Sequence, residues 1–112
     1  MKKSKAQGKH DRLCNIIKDE LAERGFESVQ NVNYNSSTVD GEIDVIGYSN
    51  DGKYAIDVEV KCTKHYKSSK KAHEQLDRAR KHFPEFKNKR LFTFLAYYKN
   101  DGYVMEWYKN HK

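Results

Sequence analysis

The sequence predicts one α/β domain with its elements in the order α-β-β-β-α-β-β. Two stretches repeat apolar residues at helical spacing, five runs have strand character, and Gly-, Asn- and Asp-containing turn signals separate them. At 112 residues the chain can bury one modest core but not two, so a single domain over residues 1–112 with a single site is expected.

The first helix is expected from about His10 to Arg24, where Leu13, Ile16, Ile17 and Leu21 form an apolar stripe and Gly25 supplies a stop. Phe26 to Tyr34 reads as a strand, followed by a polar loop over residues 35–41. Residues 42–48 and Tyr54 to Cys62 alternate polar and apolar around Asn50-Asp51-Gly52, the signature of a β-hairpin. After a basic loop at 63–71, Ala72, Leu76, Ala79 and Phe83 define a second helix, with Ser68 or Ser69 to cap it and Pro84 to end it. Leu91 to Tyr98 and Tyr103 to Tyr108 are strands joined by the turn Asn100-Asp101-Gly102.

Charge is unevenly placed. The overall +6 divides into +4 over residues 1–12, −7 over 13–60, +8 over 61–90 and +1 over 91–112. An acidic middle between basic flanks suits a metal site set in a polyanion-binding surface, because carboxylates alone would repel phosphate; ordinary solvated charge is the plainer account of the same pattern. Residues 1–9 read as a flexible basic arm. Cys14 and Cys62 are the only cysteines and have no zinc-ligand spacing, so a reducing, cytoplasmic compartment is expected. No apolar h-region follows the basic N-terminus and no stretch approaches membrane-spanning length, so no membrane partner is expected.

The strand ending at Cys62 carries the chemistry. Its alternation puts Tyr54, Ile56, Val58, Val60 and Cys62 on one face and Asp57, Glu59 and Lys61 on the other. Charges on a central strand need either an exposed sheet face or a partner such as a metal. The hairpin turn can bring Asp44 near Glu59, and two carboxylates with the Val60 backbone carbonyl form a hard oxygen set suited to Mg²⁺ or Mn²⁺. Lys61 points into the same place, where an ammonium can orient water or stabilise developing charge in phosphodiester hydrolysis.

Gly41-Glu42-Ile43-Asp44-Val45-Ile46 followed by Asp57-Val58-Glu59-Val60-Lys61 resembles the D…ExK signature of the PD-(D/E)xK nuclease superfamily. The resemblance covers nearly the whole chain. It implies a restriction-endonuclease-like αβββαβ core, with a mixed sheet flanked by helices and an added C-terminal strand. The small size and the helix ending in Gly25-Phe26 look similar to archaeal-type Holliday junction resolvases and to small phage endonucleases. That implies a Mg²⁺- or Mn²⁺-dependent endonuclease acting on DNA, selective for branched junctions and homodimeric. Ile43 stands where the superfamily's name places Pro, and Cys14 stands where relatives often carry a helix-one acid.

Three helix-one side chains compete for that remaining ligand position. His10 shares the face of Leu13, Ile17 and Leu21 and, after Gly8-Lys9, matches a His used by some relatives; Asp11 lies opposite, and Glu20 is near the apolar arc but can pair with Arg24. Gln75, beside the second helix's apolar stripe, is placed where several branches carry a site-facing Gln. Lys64, Lys67, Lys70, Lys71 and Arg78, with Arg80 and Lys81, are expected to contact the DNA backbone without reading sequence. The late aromatics, Tyr97, Tyr98, Tyr103, Trp107 and Tyr108, read either as packing surface or as base-stacking or dimer residues. Two other functions fit the same residues: a non-catalytic nucleic-acid-binding module, and an exonuclease or RNase.

Overall fold

The computed structural model describes residues 5–35, 40–63 and 66–108. Helix α1 spans Lys5–Glu23 and is followed by strands β1 (Glu27–Asn35), β2 (Asp40–Tyr48) and β3 (Tyr54–Thr63). Helix α2 (Tyr66–His82) and a short 3-10 turn (Pro84–Phe86) lead to β4 (Arg90–Lys99) and β5 (Gly102–Tyr108). The predicted order of elements is reproduced.

The five strands form one sheet in chain order, β1-β2-β3-β4-β5. All neighbours are antiparallel except β3 and β4, which run parallel because α2 carries the chain back over the sheet. The sheet is therefore mixed, with a helix on each face. Leu13, Cys14, Ile17 and Leu21 of α1 pack on Val45, Val58, Val60 and Ala96. Ala79 of α2 and Phe83 just after it join Ile46, Ala55 and Tyr34 on the opposite face, and Ala72 packs there with Leu95 and Tyr97.

Three expectations are corrected. Helix α1 begins at Lys5 rather than His10, so residues 5–9 of the expected arm are helical. Helix α2 begins at Tyr66, which puts Ser68 and Ser69 inside the helix instead of at its cap and moves Lys67, Lys70 and Lys71 from a loop onto its first turns. The loop expected at 35–41 contracts, since β1 runs to Asn35 and β2 starts at Asp40, with Tyr34 paired to Gly41.

The irregularity that builds the site is in β2. Pairing with β3 runs from Tyr48–Ala55 to Val45–Val58 and goes no further. On the other side, the ladder to β1 skips the Asn31–Asp44 position, and Asn31 takes a left-handed φ of +56°. Strict alternation fails there: Ile43 and Ile46 both pack on the α2 side while Val45 packs on the α1 side. Asp44 sits at this break, where β2 leaves β3.

Candidate active site

Because β3 has lost its β2 partner beyond Val58, the amide of Val60 needs another acceptor. Asp44 provides it: Oδ2 accepts from the Val60 N–H at 2.8 Å. In a strand a residue's N–H and C=O point to the same side, so the Val60 carbonyl faces the same gap. Asp44 is 4% exposed and Glu59 also 4%. Their carboxyl groups lie within hydrogen-bond reach of each other, and Lys61 Nζ is 3.5 Å from Glu59 Oε2.

The polar face of β3 is buried. Asp57 is 1% exposed beneath α2, and its Oδ2 has no hydrogen-bond partner among the described residues. Exposure, the cheaper explanation for a charged strand face, is excluded for Asp57 and Glu59. Burial holds the Asp57 carboxyl well above the usual carboxylate range, with the charge of Asp44 adding to it. Glu59 is also pushed up, first by burial and then by Asp44, while Lys61 pulls the other way. The cluster is short of positive charge.

Helix α1 contributes His10. Its Nε2 is 3.4 Å from Asp44 Oδ2, while Nδ1 lies 3.8 Å from Cys14 Sγ and 3.9 Å from Asp11 Oδ1. The hydrogen bond to Asp44, then that to Cys14, raises the His10 pKa to about 11 against the opposing effect of burial. His10 is thus an imidazolium at neutral pH, donating to Asp44. In this geometry His10 holds the Asp44 carboxylate in place from the helix-one side.

The other two helix-one candidates have different surroundings. Asp11 is half-buried beside His10 instead of facing water. Glu20 lies elsewhere, accepting from the Tyr103 hydroxyl at 3.1 Å and pairing with Arg24 at 3.6 Å. In α2, Gln75 is half-buried and its Oε1 has no hydrogen-bond partner among the described residues. Arg78, one helical turn on, is exposed and close enough to Tyr34 to lower its pKa against the larger effect of burial. Lys70 and Lys71 are exposed on the first turns of α2. Lys64, and the side chain of Lys67, lie outside the described residues.

Two site neighbours escape sequence reasoning. Asp57 is signalled only as a third charge on the Glu59 face. Tyr34 has no local signal at all: it lies near the end of β1, yet Asp57, Glu59 and Arg78 all act on its hydroxyl.

Among the described residues, no three His, Cys, Asp or Glu side chains converge as a metal-binding group. What converges is a pair of carboxylates beside a backbone carbonyl. That donor set fits Mg²⁺, which binds through one or two carboxylates and keeps several waters. The mutual repulsion of Asp44 and Glu59 and the orphan oxygen of Asp57 are what a hydrated cation would relieve. No protein-family model matches the chain, and no curated protein matches it significantly.

Proposed function

We propose that this chain is a divalent-metal-dependent endonuclease of the PD-(D/E)xK type that hydrolyses DNA phosphodiesters. The observation that carries the reading is the convergence of Asp44, Glu59 and Lys61 where β2 parts from β3, built from the D…ExK pattern with both carboxylates buried. The α-β-β-β-α-β order and the parallel β3–β4 pair agree with the superfamily's core.

In this reading Asp44, Glu59 and the Val60 carbonyl hold Mg²⁺ or Mn²⁺. The cation, when bound, supplies Lewis acidity toward the scissile phosphate. Lys61 holds the attacking water in line and offsets the negative charge that grows on the phosphate. His10 fixes the orientation of Asp44 by donating to Oδ2, and the Val60 amide fixes it from the other side. Lys70, Lys71 and Arg78, exposed on α2, neutralise substrate phosphates. The specialisation closest to the sequence resemblance is resolution of branched DNA by a homodimer, since two cuts need two copies of a one-site chain.

A substrate panel tests this. Purified chain with Mg²⁺ or Mn²⁺ is expected to cut four-way-junction or duplex DNA internally, and Glu59→Gln or Lys61→Ala to abolish cutting while binding survives. Gel shifts without cleavage of any DNA would replace the nuclease with a binding module. Cleavage only from ends, or only of RNA, would move the activity to an exonuclease or RNase on the same site.

A further inference from the structure

A second surface lies at the other end of the sheet. β3 and β4 pair in parallel from Tyr54–Arg90 up to Glu59–Leu95, so Arg90 is five residues below the level of Glu59, about 17 Å along the strands. Around that lower end, an open groove of about 640 Å³ is lined by Arg80, Lys81, His82, Lys87 and Lys89 with no acidic residue. A smaller groove of about 170 Å³ continues from it, sharing Arg80 and Leu91 and adding Arg90, Phe92 and Trp107. The two form one strip around the lower edge of the sheet, cationic on the side that α2 covers and aromatic toward the opposite face.

The aromatic part is unusually open. Trp107 is 59% exposed and Tyr54 36%, and Tyr54 stacks on Phe92 at 6.2 Å with the rings 23° apart. Trp107 pairs with Phe94 across β4–β5, on the sheet face that α1 covers only farther up. An exposed tryptophan on a sheet costs hydrophobic free energy unless something covers it. A second copy of this chain is a poor cover: a two-fold contact here would bring the arginines and lysines of both copies together. A polyanion with flat apolar groups satisfies both halves.

We propose that this strip binds a single-stranded segment of nucleic acid, with an unpaired base stacked on Trp107 and the adjoining phosphates held by Arg80, Arg90, Lys81 and Lys87. Stacking requires a base that is not already in a duplex, and the π-face of any base will serve, so the contact selects strandedness without reading sequence. The inference rests on the nucleic-acid part of the function proposed above but not on hydrolysis.

Trp107 is the chain's only tryptophan, so its emission reports the proposed contact directly. The full chain, with EDTA present, is titrated with a 16-nucleotide oligo-dT single strand and with a 16-base-pair duplex while Trp107 fluorescence is followed. Binding is read in parallel from the anisotropy of a labelled oligonucleotide. Single strand is expected to quench the emission strongly and duplex to leave it nearly unchanged. Trp107→Ala should weaken single-strand binding by roughly tenfold and Trp107→Tyr should largely restore it. Lys81→Glu with Lys87→Glu should weaken binding further and make the salt dependence shallower. Circular dichroism checks that these surface variants fold. Oligonucleotide binding with unchanged Trp107 emission, equal quenching by duplex, or unaltered affinity in both sets of variants would each overturn the assignment. Cleavage without quenching sinks this inference alone, and quenching without cleavage sinks only the nuclease.

Discussion

The Asp44 carboxylate and the Val60 amide are joined by a 2.8 Å hydrogen bond that bridges β2 and β3 just beyond their last paired residues. One side chain therefore does two things: it satisfies a buried backbone donor, and it carries the charge that meets Glu59. The two roles separate on substitution. Asp44→Asn keeps a carbonyl oxygen for the Val60 N–H, whereas Asp44→Ala leaves that donor buried and unmade, at a cost of about 1–3 kcal/mol. The expected outcome is that both variants lose cleavage but only Asp44→Ala melts well below the parent. Equal melting temperatures for the two would show that the bond to Val60 contributes nothing to the fold.

The pH dependence of stability should carry the mark of Glu59. Its carboxyl is raised by burial and by Asp44 above its ordinary value near 4.5, so the folded chain holds that proton longer than the unfolded chain does. Its contribution to stability is complete below that ordinary value and fades as pH rises above it. His10 has the same sign: raised from 6.5 to about 11, its pairing stabilises the fold in full below 6.5 and is lost as pH rises through about 11. In the metal-free chain, Glu59→Gln should accordingly gain thermal stability over the parent, with the gain widening between about pH 5 and 8. Millimolar Mg²⁺ should narrow the gap by stabilising only the parent. Melting curves in EDTA across that range decide it; a gap that shrinks with rising pH would contradict the burial of the Glu59 charge.

The elements of the fold were legible because their signals are local. Leu13, Ile17 and Leu21 mark one buried stripe and Ala72, Leu76 and Ala79 the other, and all six are buried as their spacing implies. Asp44, Glu59 and Lys61 were legible for the same reason, since alternation and a short turn fix their mutual placement. Boundaries were less so: Lys5 to Lys9 carry no apolar residue except Ala6, so nothing in the periodicity announces that α1 has begun. The partners of the site were least legible. Tyr34 and Asp57 depend on which strands pair and on α2 crossing above them, and the break at Asp44 depends on a positive φ at Asn31, across the ladder. Non-local geometry of that kind leaves no trace in spacing.

Tyr34 and Gly41 form a cross-strand pair in which the ring occupies the space a side chain would need. A Cβ built at Gly41 would fall on the ring of Tyr34, which is 6% exposed and held against Phe83 at 5.7 Å, so it has little room to move. Gly41→Ala is expected to destabilise the chain by about 1–3 kcal/mol through overpacking. The cause can be isolated with a double-mutant cycle, in which Gly41→Ala should cost almost nothing once Tyr34→Ala has emptied the space. Additive costs in that cycle would point to the backbone at Gly41 instead of the ring.

Asp57 is a buried carboxyl with an orphan oxygen on a sheet face covered by a helix, an arrangement that costs stability wherever the group is ionised. Its folded-state pKa lies well above its ordinary value near 3.8, so the destabilisation is absent below that value and grows as pH rises above it. Asp57→Asn removes the charge with almost no change in volume and should raise the melting temperature, more at pH 8 than at pH 5. A residue kept at such a cost beside two other carboxylates fits a site that trades stability for charge. The same variant is therefore expected to bind Mn²⁺ more weakly and to cleave more slowly. Calorimetry on the variant, with and without Mn²⁺, reads both effects. A variant less stable than the parent at pH 8 would mean that Asp57 has a partner in the fold, and unchanged Mn²⁺ affinity would remove it from the site.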